Sequence, residues 1–201
     1  MIRVLLAEDQ EMVRGALSAL LNMEADTEVV AQLGRGDEVA AAALQNHPDV
    51  ALLDIEMPGR DGLSVAADLE GLLPECRVLM LTTFGRPGYL RKAMANGASG
   101  FMLKDAPVTE LARAIRRTAA GERVVDPQLA AQALSEGDSP LSPRELEVLA
   151  ESEDGSTVAA VARRLFLSEG TVRNHLSAAI QKLNARNRME ALRTARAKGW
   201  L

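Results

Sequence analysis

Five times within the first 120 residues, a short run of β-forming apolar residues is followed by a stretch with helical spacing. The pairs are IRVLLA and MVRGALSALLN, TEVVAQL and DEVAAAALQN, DVALLD and GLSVAADLEGLL, RVLMLT and GYLRKAMANG, and GFMLK and VTELARAIRRTAA. Strands that alternate with helices run parallel, because each helix returns the chain to the same edge by a right-handed crossover. The runs are continuously apolar rather than alternating, as expected for strands covered by helices on both faces. In such a sheet, functional groups collect beyond the carboxyl ends of the strands, where strand order reverses.

The remainder of the chain reads differently. Residues 121–140, GERVVDPQLAAQALSEGDSP, are acidic and broken by Gly and Pro, and are expected to form a linker with one short helix. Ser142-Pro143-Arg144-Glu145 offers a capping Ser, Pro at the first helical position and Glu at the third, opening a helix over 143–153. Asp154-Gly155 ends it, TVAAVARRL forms a second, and Ser168 caps a third that runs through TVRNHLSAAIQKL. Asn184 to Asn187 interrupt before a last helix, RMEALRTARAKG. The expected organisation is an α/β domain over 1–120, a linker over 121–140 and an all-α four-helix domain over 141–201.

Charge divides along the same lines. Residues 1–120 carry 12 basic and 17 acidic side chains, residues 121–140 carry 1 and 4, and residues 141–201 carry 10 and 7. Opposite signs in the two halves point to different partners. Aromatic residues make up only 2%, so the cores must be built from Leu, Val, Ala and Met. No apolar run approaches the ~18 residues of a membrane span, and the opening MIRVLLAED meets acid too early for a secretion signal. A cytoplasmic location with no membrane partner is expected. The single cysteine, Cys76, excludes an internal disulfide and a Cys-rich zinc site.

The strand ends carry the chemistry. Strand 1 ends at Glu8-Asp9, strand 3 at Asp54, strand 4 at Thr82-Thr83 and strand 5 at Lys104. Taken singly, an acid at a strand end is a helix cap or a solvated turn, a Lys is a surface charge, and a Thr is a strand residue. Taken together, with strand 1 beside strand 3, they bring three carboxylates, a hydroxyl and an ammonium to one edge. Carboxylates that close repel unless a cation intervenes. A hard divalent ion held by carboxylates and completed by a phosphate oxygen is the Mg²⁺ arrangement. The grouping therefore reads as a phosphoryl-transfer site with a carboxylate nucleophile, Asp54.

With Asp54-x-x-Met-Pro-Gly behind that nucleophile, residues 1 to about 120 resemble the receiver domain of two-component response regulators. The resemblance implies a flavodoxin-like (βα)5 fold of strand order 2-1-3-4-5. It also implies that a cognate sensor histidine kinase phosphorylates Asp54. Asp9, Asp54 and the main-chain carbonyl of Glu56 would hold Mg²⁺, with Glu8 supporting the ion through water. Thr82 would bind a phosphoryl oxygen and move on activation, Lys104 would neutralise the phosphoryl charge, and Phe101 falls at the aromatic switch position. Two positions depart from the common pattern: Asp105 follows Lys104 where many receivers have Pro, and Phe101 lacks a hydroxyl, which leaves packing as its means of switching.

In the last domain, TVAAVARRLFLSEGTVRNHLSAAIQKL pairs a short helix with a longer one across a tight turn, as in a helix-turn-helix. Val158, Val161, Leu165, Val172, Leu176, Ile180 and Leu183 recur at core spacing, leaving Thr171, Arg173, Asn174 and Ser177 outward. A generic helical interaction module would show the same pattern. The segments LSPRELEVL, VARRLFLSEGTVRNHLSAAIQKL and NRMEA, however, resemble the LuxR-type DNA-binding domain of the NarL/FixJ regulators. That resemblance implies double-stranded operator DNA as a partner, with Arg173, Asn174 and Ser177 facing bases and Thr171 and Lys182 touching phosphate. Within this family, IRVLLAEDQEMVRGALSALLNME, DIEMPGRDG, LTTFGRPGY and the closing KGW make the chain most similar to DesR-type regulators.

The working expectation is a transcriptional regulator, not an enzyme, which forms a homodimer on phosphorylation. Two rivals stay open from the sequence. One is a phosphatase or phosphotransferase using Asp54 with Glu56 as general acid; the other is a constitutive DNA binder whose α/β domain serves only to dimerise.

Overall fold

The computed structural model describes residues 1–83, 85–137 and 139–201, with the side chains of Gln128 and Glu136 excepted. Phe84, within LTTFGRPGY, and Asp138, within the expected linker, lie outside the described residues. The chain divides into two compact units, one of residues 1–85 and 90–132, the other of 86–89 and 133–201.

The first unit is a parallel sheet. Its strands are β1 (Ile2–Ala7), β2 (Thr27–Leu33), β3 (Val50–Asp54), β4 (Arg77–Thr82), β5 (Gly100–Leu103) and β6 (Val124–Val125). The order is β2-β1-β3-β4-β5-β6. The expected 2-1-3-4-5 order is present, and it is extended by one strand: Val124–Val125, placed by the sequence in the linker, pairs with Gly100–Phe101. A two-residue strand between Arg123 and Asp126 is too short for its period to register in the sequence. The connecting helices are α1 (Glu11–Asn22), α2 (Val39–Asn46), α3 (Gly62–Leu72), α4 (Pro87–Ala95) and α5 (Val108–Ala119), and α6 (Pro127–Glu136) follows β6.

The central strands are apolar throughout because both their faces are covered: Val4, Leu5, Val50, Ala51, Leu52, Leu53, Leu79 and Met80 are fully buried. One core cluster joins these strands to Leu21 of α1 and to Leu111, Ala114 and Ile115 of α5. Parallel pairing aligns the strand ends, setting Ala7 opposite Leu53, Asp54 opposite Leu81 and Thr82 opposite Leu103. The polar residues that terminate the strands therefore emerge together.

The second unit is helical, with α7 (Pro143–Ala150), α8 (Val158–Arg164), α9 (Glu169–Lys182) and α10 (Arg188–Ala197). Ser142 caps α7 in the expected box: its hydroxyl accepts from the Glu145 N–H at 3.3 Å, and Glu145 Oε2 accepts from the Ser142 N–H at 2.7 Å. The helix stops at Ala150, three residues short of the expected end. Ser168 caps α9 and Asn187 caps α10 through the N–H groups of Thr171 and Glu190. Val148, Leu149, Val161, Val172, Ala179, Ala191 and Ala195 form a core in which small residues let short helices approach closely.

Gly62, the first residue of α3, packs directly on the end of β3. A Cβ there would lie 1.9 Å from the main-chain oxygen of Asp54. Gly62→Ala is expected to lower the urea midpoint of the sheet unit at unchanged m-value, a loss of about 1–3 kcal/mol from overpacking against backbone.

Candidate functional site

The site lies where β1, β3, β4 and β5 end. Glu8 and Asp9 follow β1, Asp54 closes β3, Thr82 closes β4 and Lys104 follows β5. One oxygen from each of Glu8, Asp9 and Asp54 lies within 4.8 Å of the others. A cleft of about 270 Å³ is lined by Asp9, Gln10, Asp54, Glu56, Thr82 and Thr83. Glu8, Asp54 and Thr82 are buried, whereas Asp9 and Glu56 are exposed, so the cleft has an acidic floor and an open mouth.

Lys104 holds the buried acids together. Its Nζ lies 2.6 Å from Glu8 Oε2 and 2.9 Å from Asp54 Oδ2. The other oxygen of Asp54 accepts the N–H of Ile55 at 2.7 Å, and Glu8 Oε1 accepts that of Gln10 at 3.3 Å. Burial still prevails for both carboxyls and holds them above the ordinary carboxylate range, against the lowering influence of Lys104. Burial alone would lower the Lys104 ammonium, but its bonds to Glu8 and Asp54 outweigh it and raise it. One ammonium against three carboxylates leaves the cluster with excess negative charge. Its donors are all hard oxygens, which fits a Mg²⁺ ion.

The structure thus brings together Glu8, Asp9, Asp54, Glu56, Thr82 and Lys104. Phe101 is fully buried inside β5, opposite Met80. No cis peptide bond occurs among the described residues.

In the helical unit, α8 and α9 form the expected pair. Val161, Val172 and Leu176 are buried, and Val158, Leu165, Ile180 and Leu183 pack against them. Arg173, Asn174 and Ser177 are exposed on α9. Thr171 is half-buried and its hydroxyl lies 2.8 Å from that of Ser168. Lys182 is engaged within the unit, its Nζ 2.8 Å from the buried Glu145 and tying α9 to α7. Glu145 was legible as a cap but not as an anion, because its partner lies 37 residues away. Three further exposed residues, Glu169, Gly170 and Gln181, continue the stripe of Arg173, Asn174 and Ser177 at offsets of three and four, which helical spacing alone signals, and Glu169 Oε2 accepts from Arg173 Nη2 at 2.7 Å. No helix among the described residues is long and apolar enough to cross a membrane.

Two family models match the chain: the response regulator receiver domain over residues 4–116, and the luxR family of bacterial regulatory proteins over residues 139–195. The uncharacterized transcriptional regulatory protein YvfU of Bacillus subtilis (strain 168) is 46% identical over 201 residues, covering 100% of both chains. The transcriptional regulatory protein DesR of the same organism is 43% identical over 200 residues, covering 100% of this chain and 99% of DesR. Among solved structures, the response regulator ChrA of a heme-sensing two-component system aligns with a TM-score of 0.59 at 35% identity, covering 100% of this chain and 98% of ChrA. The chain belongs to the response regulators of the LuxR-type, DesR-like group of transcriptional regulators, with a receiver domain followed by a LuxR-type DNA-binding domain.

Proposed function

We propose that this chain is a cytoplasmic, phosphorylation-controlled transcriptional regulator: Asp54 accepts a phosphoryl group from a sensor histidine kinase, and the protein binds operator DNA as a dimer. The observation that carries the reading is the convergence of Glu8, Asp9, Asp54, Thr82 and Lys104 from four strands at one edge of the sheet, where Asp9, Asp54 and Thr82 line a cleft and Lys104 pairs with Glu8 and Asp54. A carboxylate oxygen of Asp54 attacks phosphorus, and the bond from phosphorus to the donor's imidazole nitrogen breaks, the nitrogen keeping the electron pair. Asp9 and Asp54 with the Glu56 carbonyl would hold Mg²⁺, with Glu8 supporting it through water, and the ion would offset the charge of the phosphoryl oxygens. The Lys104 ammonium, already beside Asp54, pairs with a phosphoryl oxygen, and the Thr82 hydroxyl bonds another. Phe101 repacks as Thr82 moves.

Phosphorylation then acts by shifting a population toward a dimerising state, not by making DNA contacts. The dimer places two α9 helices about one DNA turn apart, roughly 34 Å. Arg173, Asn174 and Ser177 face base edges, Thr171 touches phosphate, and Lys182 reaches phosphate only from beside its Glu145 partner.

With acetyl phosphate and Mg²⁺, the wild-type chain is expected to take up one acid-stable, base-labile phosphoryl group and Asp54→Ala none, measured by intact-mass spectrometry. Uptake by Asp54→Ala together with undiminished cooperative operator binding would sink the proposal. Turnover of small phosphate esters in the same assay would instead favour Glu56 as a general acid.

Mg²⁺ at ~100 times its Kd should stabilise wild type by about 2.7 kcal/mol, seen as a higher melting temperature. Asp54→Asn should lose most of that gain, yet be no less stable than wild type without the ion, because one of three mutually repelling charges is gone.

Operator affinity should fall steeply as salt rises, on a log–log scale. Arg173→Ala should cost about 1–3 kcal/mol and relax base preference at one position, read from binding to a panel of single-base operator variants.

A further inference from the structure

Arg14 sits where a cation is disfavoured. It belongs to the first turn of α1, at the positive end of the helix dipole, and it is half-buried. Its Nη1 donates to the main-chain oxygen of Glu8 at 2.5 Å and to that of Asp9 at 3.4 Å. Those carbonyls belong to the two residues that supply β1's share of the acidic cluster. Gly34, just past β2, faces the same guanidinium: a Cβ there would stand 3.1 Å from Arg14 Nη1, close enough to displace it by a few tenths of an ångström. The Glu8 N–H is fixed from the same side, donating to the Leu33 oxygen at 3.0 Å.

We propose that Arg14 and Gly34 form a positioning clamp for the acidic cluster. The guanidinium fixes the peptide planes of Glu8 and Asp9 and so sets the direction in which both carboxylates leave the backbone. Glycine keeps the space the guanidinium needs. Arg14 is a positioning residue, not a catalytic one, because its bonds go to carbonyls. It brings positive charge to the cluster without occupying the carboxylate oxygens a metal ion needs. A purely structural role, stapling α1 to the end of β1, would lower stability and leave metal affinity alone.

The clamp rests on the phosphoryl-acceptor reading, and calorimetric titration of the full chain with MgCl₂ separates the two. Arg14→Ala is expected to weaken Mg²⁺ binding about tenfold or more, the scale seen when a group orienting a metal ligand is lost. Arg14→Lys should recover part of it, since its ammonium keeps a positive donor for the carbonyls but lacks the planar guanidinium that holds Nη1 in one direction. Gly34→Ala, which leaves Arg14 in place, should weaken binding by a smaller factor in the same direction. Without metal, the amides of Asp9 and Gln10 should exchange hydrogen faster in Arg14→Ala than in wild type. Unchanged Mg²⁺ affinity in Arg14→Ala overturns the clamp and leaves the acceptor reading standing. If that variant does not fold, unchanged affinity in both Arg14→Lys and Gly34→Ala overturns it equally. A wild-type chain that does not bind Mg²⁺ overturns the acceptor reading and the clamp together.

Discussion

Glu8, Asp9 and Asp54 bring three carboxylates within 4.8 Å of one another at the end of a sheet. At that spacing, with an effective dielectric near 20, each like-charged pair costs about 3 kcal/mol. The rest of the receiver can be understood as what holds that arrangement. Lys104 spans two of the acids from β5, the Ile55 and Gln10 amides take a further oxygen from each, and burial keeps both acids from relaxing outward into water. A scaffold able to hold repelling groups in place must be rigid beneath them. The strand bodies supply this, since Val4 to Ala7, Val50 to Leu53 and Val78 to Leu81 are all buried.

Polar chemistry and apolar packing are thereby separated along each strand, not across its faces. Parallel pairing puts every carboxyl end on the same edge, so a polar residue at a strand terminus joins the site without interrupting the core. Close backbone approach completes the arrangement. Gly62 lets α3 start directly against the Asp54 carbonyl, and Gly34 leaves room for Arg14 behind β1. The cluster's geometry is thus set as much by where side chains are absent as by the acids themselves.

The helical unit meets a different demand. With few aromatics, it packs alanines and valines between short helices and relies on caps at Ser142, Thr157, Ser168 and Asn187 to start them. The ion pair of Lys182 with Glu145 links the last turn of α9 to the first turn of α7. That leaves the stripe from Gly170 through Arg173, Asn174, Ser177 and Gln181 facing outward. Helical spacing sorts this surface without reference to the rest of the chain, which is why it was largely readable in advance.

Local signals determined much of this protein. Continuous apolar runs specified buried parallel strands, the Ser142 and Ser168 caps specified helix starts, and the residues ending each run named Glu8, Asp9, Asp54, Thr82 and Lys104. These features act over a few residues, so a sequence can carry them. Only the tertiary structure decided the rest: that Val124–Val125 would add a strand, that Lys182 would pair with Glu145, and that Arg14 would reach back to the Glu8 and Asp9 carbonyls. Each depends on a partner made available by folding, either a free sheet edge, a buried anion or an unpaired carbonyl. No spacing rule along the chain encodes such a meeting.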